Sequence, residues 1–166
     1  PRRTALPQAF PRKGVIMEKL DLELLEKIAD LHGIPEGSFN IRKNGERLAA
    51  SSDDEVSIVQ KTDKPGIDII VTAGVKGKSV HIPVILTKGG FHDTVYNDFF
   101  IGADSDVTIV AGCGIHNPSK GEAEHDGVHT FHLAPNSRVR YIERHYGEGV
   151  KGSKRVFDPV TVVELD

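Results

Sequence analysis

Two stretches of this 166-residue chain repeat one another at nearly the same interval, and that repeat limits the possible folds most sharply. His92-Asp93-Thr94-Val95-Tyr96 aligns with His125-Asp126-Gly127-Val128-His129 at an offset of 33. Gly102 to Ile109 aligns with Ala134 to Tyr141 at an offset of 32. One residue of slack near Asp98 would reconcile the two registers. Each copy reads as strand, tight turn, strand. A unit with two short strands and no helix cannot bury its apolar face alone, so copies must stack, and stacking implies a β-solenoid. A sandwich of similar hairpins is the alternative.

The rest of the pattern agrees. Ile67–Thr72, Ser79–Leu86, Asp106–Val110, Val128–Leu133, Arg138–Glu143 and Val160–Leu165 read as strands, punctuated by Gly, Asn, Asp or Pro. No helix-length apolar pattern recurs between them, which excludes a doubly wound α/β sheet. Helical spacing occurs once, at Leu20, Leu24, Leu25, Ile28 and Leu31. Asp21 is the expected N-cap, Glu23 and Lys27 the expected pair one turn apart, and Gly33 with Pro35 the expected stop. Residues 1–16 hold three prolines, four basic residues and no acidic one, without the apolar stretch of a signal peptide. They are expected to be an extension ahead of a native start at Met17. The organisation is therefore an extension over 1–16, a helical segment over 17–33 and a β core over 34–166.

Charge and cysteine usage narrow the function classes. The net charge of −3 gives no electrostatic case for nucleic acid, whose binders carry a basic excess. No apolar run approaches the ~18 residues of a membrane span. The single cysteine forbids an internal disulfide, which suits a reducing cytoplasm.

Chemistry is suggested by that cysteine, Cys113, among eight histidines. Thiolate and imidazole are the ligands that hold zinc, copper and iron–sulfur iron. His125 and His129 share a strand face but lie roughly 13 Å apart along it, too far to grip one ion unaided. Stacking offers another route, because equivalent residues of successive turns lie about 4.8 Å apart. Counting from the aligned serines makes Cys113 and His145 neighbours across turns. The aligned histidines pair His92 with His125, and Tyr96 with His129. Alternation puts His129 on one face with Phe131 and Leu133, and His132 on the other. A buried inert thiol competes, since Cys113 follows Val107, Ile109 and Ala111 at alternate positions, while its flanking glycines leave the backbone open to approach. A metal-dependent enzyme of cupin type, using His129, His132 and Glu143, is the alternative activity.

Several separated motifs, in order, resemble the SufB/SufD family of iron–sulfur cluster assembly proteins, in particular its shorter members. They are Asp63–Ile69, Val75–Val84, Tyr96–His116, Glu124–His129, Tyr141–Gly149 and Lys154–Thr161. The resemblance implies a mainly β fold, a right-handed parallel β-helix with a short N-terminal helical segment. It implies a non-enzymatic scaffold that holds nascent sulfur, iron or a transient cluster for transfer to apo iron–sulfur proteins. It also implies a SufC-type ATPase partner and pairing with a SufB/SufD-type subunit or a second copy. Gly112-Cys113 and His125 match the family's motif and carry over as sulfur or iron ligands; alternation and stacking add His129 and His145. Relatives of this type continue past the strand at Val160, so the C-terminal part of the core is expected to be missing here. An unfinished solenoid end would invite dimerisation by sheet extension.

Overall fold

Alternating apolar and polar residues between sharp turns build the whole molecule beyond its first helix. The computed structural model describes residues 14–166, so most of the expected 1–16 extension lies outside the described residues. The fold is mainly β, a β-solenoid of about 3 turns with one short helix near the N-terminus. The elements are α1 (Lys19–Ala29), β1 (Phe39–Lys43), β2 (Glu46–Ser51), β3 (Val56–Gln60), β4 (Ile67–Val71), β5 (Lys76–Leu86) and β6 (His92–Ile101). There follow β7 (Asp106–Asn117), β8 (Glu122–Leu133), β9 (Arg138–Gly149), β10 (Lys154–Phe157) and β11 (Val160–Leu165). Among the described residues, no helix is long and apolar enough to cross a membrane.

Two sheets face each other. One has the order β2-β1-β5-β7-β9, the other β10-β8-β6-β4-β3, with β11 also on β8. From β5 to β10 the chain alternates between sheets, and each strand from β6 on lies parallel to the one before it in the same sheet. β10 and β11 run in line along β8, split at Asp158-Pro159, where proline supplies no N–H to the ladder. The N-terminal edges differ. β2 folds back on β1 and β3 lies antiparallel to β4. The β1–β2 turn is Asn44-Gly45, both at positive φ (48° and 84°), the pairing that a two-residue hairpin requires.

The register is uniform in the β6/β8 and β7/β9 ladders, whereas β5 and β7 slip by one residue at Gly77. His92 pairs with Glu124 through to Ile101 with Leu133, and Asp106 with Arg138 through to Asn117 with Gly149. Both ladders advance by 32 residues, so the expected slack near Asp98 does not exist. This corrects two expected pairs: His125 stands beside Asp93, not His92, and His129 beside Asn97, not Tyr96. The reason is parity. Paired residues of parallel strands share a face, and His92 is exposed whereas His125 is buried. The turns repeat too. Gly74, Asp104 and Asn136 sit at φ 78°, 58° and 60°, one above another, with Gly74 N–H donating to Ala103 and Asp104 N–H to Pro135. Asn and Asp tolerate this left-handed region better than other residues with side chains.

The inward positions form the core between the sheets. One apolar cluster joins Ile69, Val80, Ile82, Phe99, Ile109 and Phe131; a smaller one joins Val84, Leu86, Cys113, Ile115 and Ala123. Helix α1 covers the outer face of the first sheet through Leu24, Leu25 and Ile28, against Phe39, Ile41 and Ile85. Its caps differ from expectation. Glu18 is the N-cap, and Asp21, fully buried, accepts the Glu18 N–H at 3.1 Å and binds Lys43 at 2.8 Å. The helix stops at Asp30 in the left-handed conformation, before Gly33 is reached. Glu23 pairs with Lys19, while Lys27 lies over the Tyr146 ring.

Candidate functional site

Inward residues stack into ladders through the lumen, and their chemistry changes along each ladder. In the first sheet, Val84 is followed by Cys113 and then His145; Ile82 by Ala111 and Glu143; Val80 by Ile109 and Tyr141. In the second, Asp93 is followed by His125, and Asn97 by His129. The expected neighbours Cys113 and His145 are thus paired across adjacent turns. The result is a polar group beside the apolar clusters: Asp93, His125, Asn97 and His129, all buried, on one sheet, and half-buried Glu143 with the more exposed His145 on the other, next to Cys113 of the smaller cluster.

Arg42 anchors one side. Its guanidinium grips Asp93 through two hydrogen bonds, Nε to Oδ2 at 2.9 Å and Nη2 to Oδ1 at 2.8 Å. Burial alone would raise the Asp93 carboxyl, but the His125 imidazole and Arg42 overcome it and hold its pKa at about 2. His125 Nδ1 lies 3.5 Å from Asp93 Oδ2, yet it is buried without a hydrogen-bond partner. Buried polar atoms are nearly always satisfied, so an orphan of this kind calls for an explanation.

Glu143 organises the other side. Its Oε1 lies 3.7 Å from His129 Nε2 and 3.5 Å from His145 Nε2. Burial pushes the His129 imidazole down to about 4, against the pull of Glu143, so the ring is neutral at pH 7. The Glu143 carboxyl is held low: burial opposes this, and His145, His129 and Tyr141 outweigh it. Burial, then the Glu143 charge, pushes the Tyr141 phenol up, and its hydroxyl is buried without a partner. Gly127 makes room for the His129 ring, because a Cβ there would lie 2.7 Å from Nε2.

Cys113 is 1% exposed, and burial, with the charges of Asp93 and Glu143, raises its thiol well above the ordinary range. The thiol is therefore protonated at rest. Its flanking glycines serve packing rather than access, which corrects the sequence expectation. A Cβ at Gly114 would meet Leu24 of α1 at 3.2 Å, and one at Gly112 would meet the Arg144 carbonyl oxygen at 2.3 Å. Its neighbour across the strands, His145, has a side chain that is 26% exposed.

The structure separates other expected partners. His132 faces outward, stacked on Phe100 and bound to Asp98 at 2.9 Å and Glu164 at 2.7 Å, while His129 and Glu143 face the lumen. The cupin-type trio of His129, His132 and Glu143 is therefore not brought together. Cys113, His125 and His129 all face inward, but they do not converge into a ready-made ligand set. Among the described residues, only the exposed His92 with the half-buried Glu122 and Glu124 place three donor atoms within 4.8 Å of one another. Sequence reasoning missed Arg42, Asp93, Asn97 and Tyr141. Asp93 and Asn97 were readable in principle, as polar residues at the same parity as Val95 and Phe99. The chain matches no family model, no curated protein and no solved structure.

Proposed function

We propose that this chain is a scaffold component of SUF-type iron–sulfur cluster assembly, resembling SufB/SufD proteins, whose lumen holds nascent sulfur, iron or a transient cluster. The observation that carries this reading is the ladder Val84–Cys113–His145, which sets one thiol beside an imidazole on the next strand, where an apolar cluster meets the polar groups of the lumen. An apolar core would stabilise a solenoid better, since buried ionisable groups are costly unless fully paired. The unpartnered His125 Nδ1 supports a ligand-holding role for this lumen. Cys113 supplies the soft ligand, and His125, His129 and His145 supply nitrogen. The thiol loses its proton when it takes iron, with His145 next to it across the strands.

On this reading the chain performs no catalysis itself. It works in the cytoplasm with a SufC-type ATPase, pairs with a SufB/SufD-type subunit or a second copy, and delivers to apo iron–sulfur proteins. The exposed apolar residues of β11 (Val160, Val162, Val163 and Leu165) suit such pairing. Anaerobic reconstitution with ferrous iron and sulfide tests the reading. The native chain should develop visible charge-transfer absorbance, and Cys113→Ala should lose most of it. Equal absorbance in both would take Cys113, and with it this function, out of the lumen.

A further inference from the structure

We infer that β11 is a pH-sensitive strap along the outer edge of the second sheet, latched by His132. The latch lies on the outer face of that sheet and does not depend on the scaffold reading. β11 sets Thr161 beside His129, Val163 beside Phe131 and Leu165 beside Leu133, so the inward ladders of β6 and β8 end on it. Its own hold is slight. All six of its residues are exposed, Val163 by 54% and Leu165 by 76%, and Asp158-Pro159 separates it from β10. Among the described residues, the one side-chain hydrogen bond from β11 joins Glu164 to His132. Release of β11 would bare the β8 edge from Val128 to Leu133 and leave the buried His129 on an outermost strand.

His132 is gripped at both ends. Its Nε2 lies 2.9 Å from Asp98 Oδ1, and its Nδ1 lies 2.7 Å from Glu164 Oε2. An ionised carboxylate only accepts, so both ring nitrogens can donate at once only in the imidazolium. Phe100 stacks on the ring, with centroids 4.6 Å apart and planes 6° apart, which fixes the plane between the two acids. The row continues beyond Asp98: its Oδ2 accepts from Lys61 at 2.7 Å, and Lys61 also binds Asp68. The charged groups facing His132 are therefore Asp98 of β6 and Glu164 of β11, with Lys61 and Asp68 of β4 reaching it through Asp98. Asp98 thus has a second cation, whereas Glu164 has His132 as its one ion-pair partner among the described residues.

Protonation and docking are linked through that difference. Asp98 raises the imidazole above its ordinary 6.5, burial opposes the rise, and Glu164 adds to it. When the ring loses its proton, one nitrogen turns a lone pair towards a carboxylate. In either neutral tautomer Glu164 no longer faces a positive charge. The strap is therefore held at low pH, and the hold fades as pH rises past 6.5 and through the raised value.

Hydrogen exchange of the full chain, corrected for its intrinsic pH dependence, tests the strap from about pH 5.5 to about pH 8.5. Protection of the Val160–Leu165 amides should fall roughly two- to fivefold over that range, while the β7 amides hold steady. Glu164→Gln and His132→Gln should each give β11 protection that is flat with pH and equal to the native value at the alkaline end. Proton NMR should also show a lower His132 pKa in Glu164→Gln than in the native chain. If His132→Gln disturbs β8, Glu164→Gln decides, because it alters one exposed side chain. Flat β11 protection in the native chain overturns the inference, as does a native-like fall in Glu164→Gln or a His132 pKa that ignores that substitution.

Discussion

Towards the N-terminal end of the solenoid the ladders of the first sheet carry Val80, Ile82 and Val84 on β5, with Arg42 of β1 beside Val84, and antiparallel strands β2 and β3 close both sheets. Two strands further along the same sheet, those ladders reach Tyr141, Glu143 and His145, and the outer strands are parallel with apolar residues exposed along β11. One backbone plan thus carries two interiors. The first is packed for stability; the second keeps ionisable groups that a purely structural core would replace. The N-terminal end has polar groups too, but they are paired: Arg42, beside Val84, holds Asp93 through two hydrogen bonds, and Arg47 Nε donates to the buried Asn40 at 2.9 Å. The contrast teaches that the solenoid's hydrogen-bonded frame tolerates a change of lumen chemistry one ladder position at a time.

Three perturbations would break or sharpen that contrast. The largest effect belongs to Phe99→Ala, which empties a fully buried position stacked on Phe131 with ring centroids 4.3 Å apart. The expected loss is about 5 kcal/mol of unfolding free energy in denaturant titration. A loss no greater than that of Glu143→Gln would erase the distinction between the two interiors.

Arg42→Met should cost about 3–4 kcal/mol at pH 7, because it leaves the buried Asp93 carboxylate without its counter-ion. The sign of the pH effect is fixed. With Arg42 present, Asp93 titrates at about 2 in the folded chain against an ordinary 3.8, so its stabilisation is present above pH 4 and fades as pH falls towards 2. The variant should therefore approach the native chain in stability over that same acid window. A constant difference from pH 7 to pH 2 would mean that the pair is not the source.

His129 gives the smallest effect, and it concerns the polar end. Its folded pKa of about 4 lies below the ordinary 6.5, so the unfolded chain takes up a proton first as pH falls. Above pH 6.5 the group contributes no pH dependence. Between 6.5 and 4 it should remove about 3 kcal/mol of stability. Urea unfolding of the metal-free chain across that range measures this, and His129→Gln should flatten the slope there. An unchanged slope would show that His129 is already solvated.

How much of this was legible in the sequence follows from what fixes each feature. The alternation of Val107, Ile109, Ala111 and Cys113 is local, so the inward face of β7 was readable, as was that of His129 and Phe131 on β8. Stacking then yielded Cys113 beside His145, because the serine-marked turns on either side have equal length. The register of His125 was misread, since matching His-Asp pairs at 92 and 125 suggested an identity that parity forbids. β1 to β3 went unnoticed, although Asn44-Gly45 is a strong hairpin signal. Their role as a cap depends on which edges they cover, which no local pattern states. Glu143 was grouped with His129, which it does approach, and with His132, which faces outward; the approach to His129 crosses from one sheet to the other, and such contacts have no sequence spacing at all.

The stacked left-handed residues Gly74, Asp104 and Asn136 have a consequence for how such a chain grows. Corners that superpose give each coil, whether 30 residues from Gly74 to Asp104 or 32 from Asp104 to Asn136, its own corner over the same point of its neighbour. Copying one coil in frame lengthens the tube without disturbing the strands on either side. The copy then inherits a free set of inward positions that can be altered while the original keeps its old ones. Asp93 followed by His125, and Cys113 followed by His145, have the form that such duplication followed by divergence leaves behind.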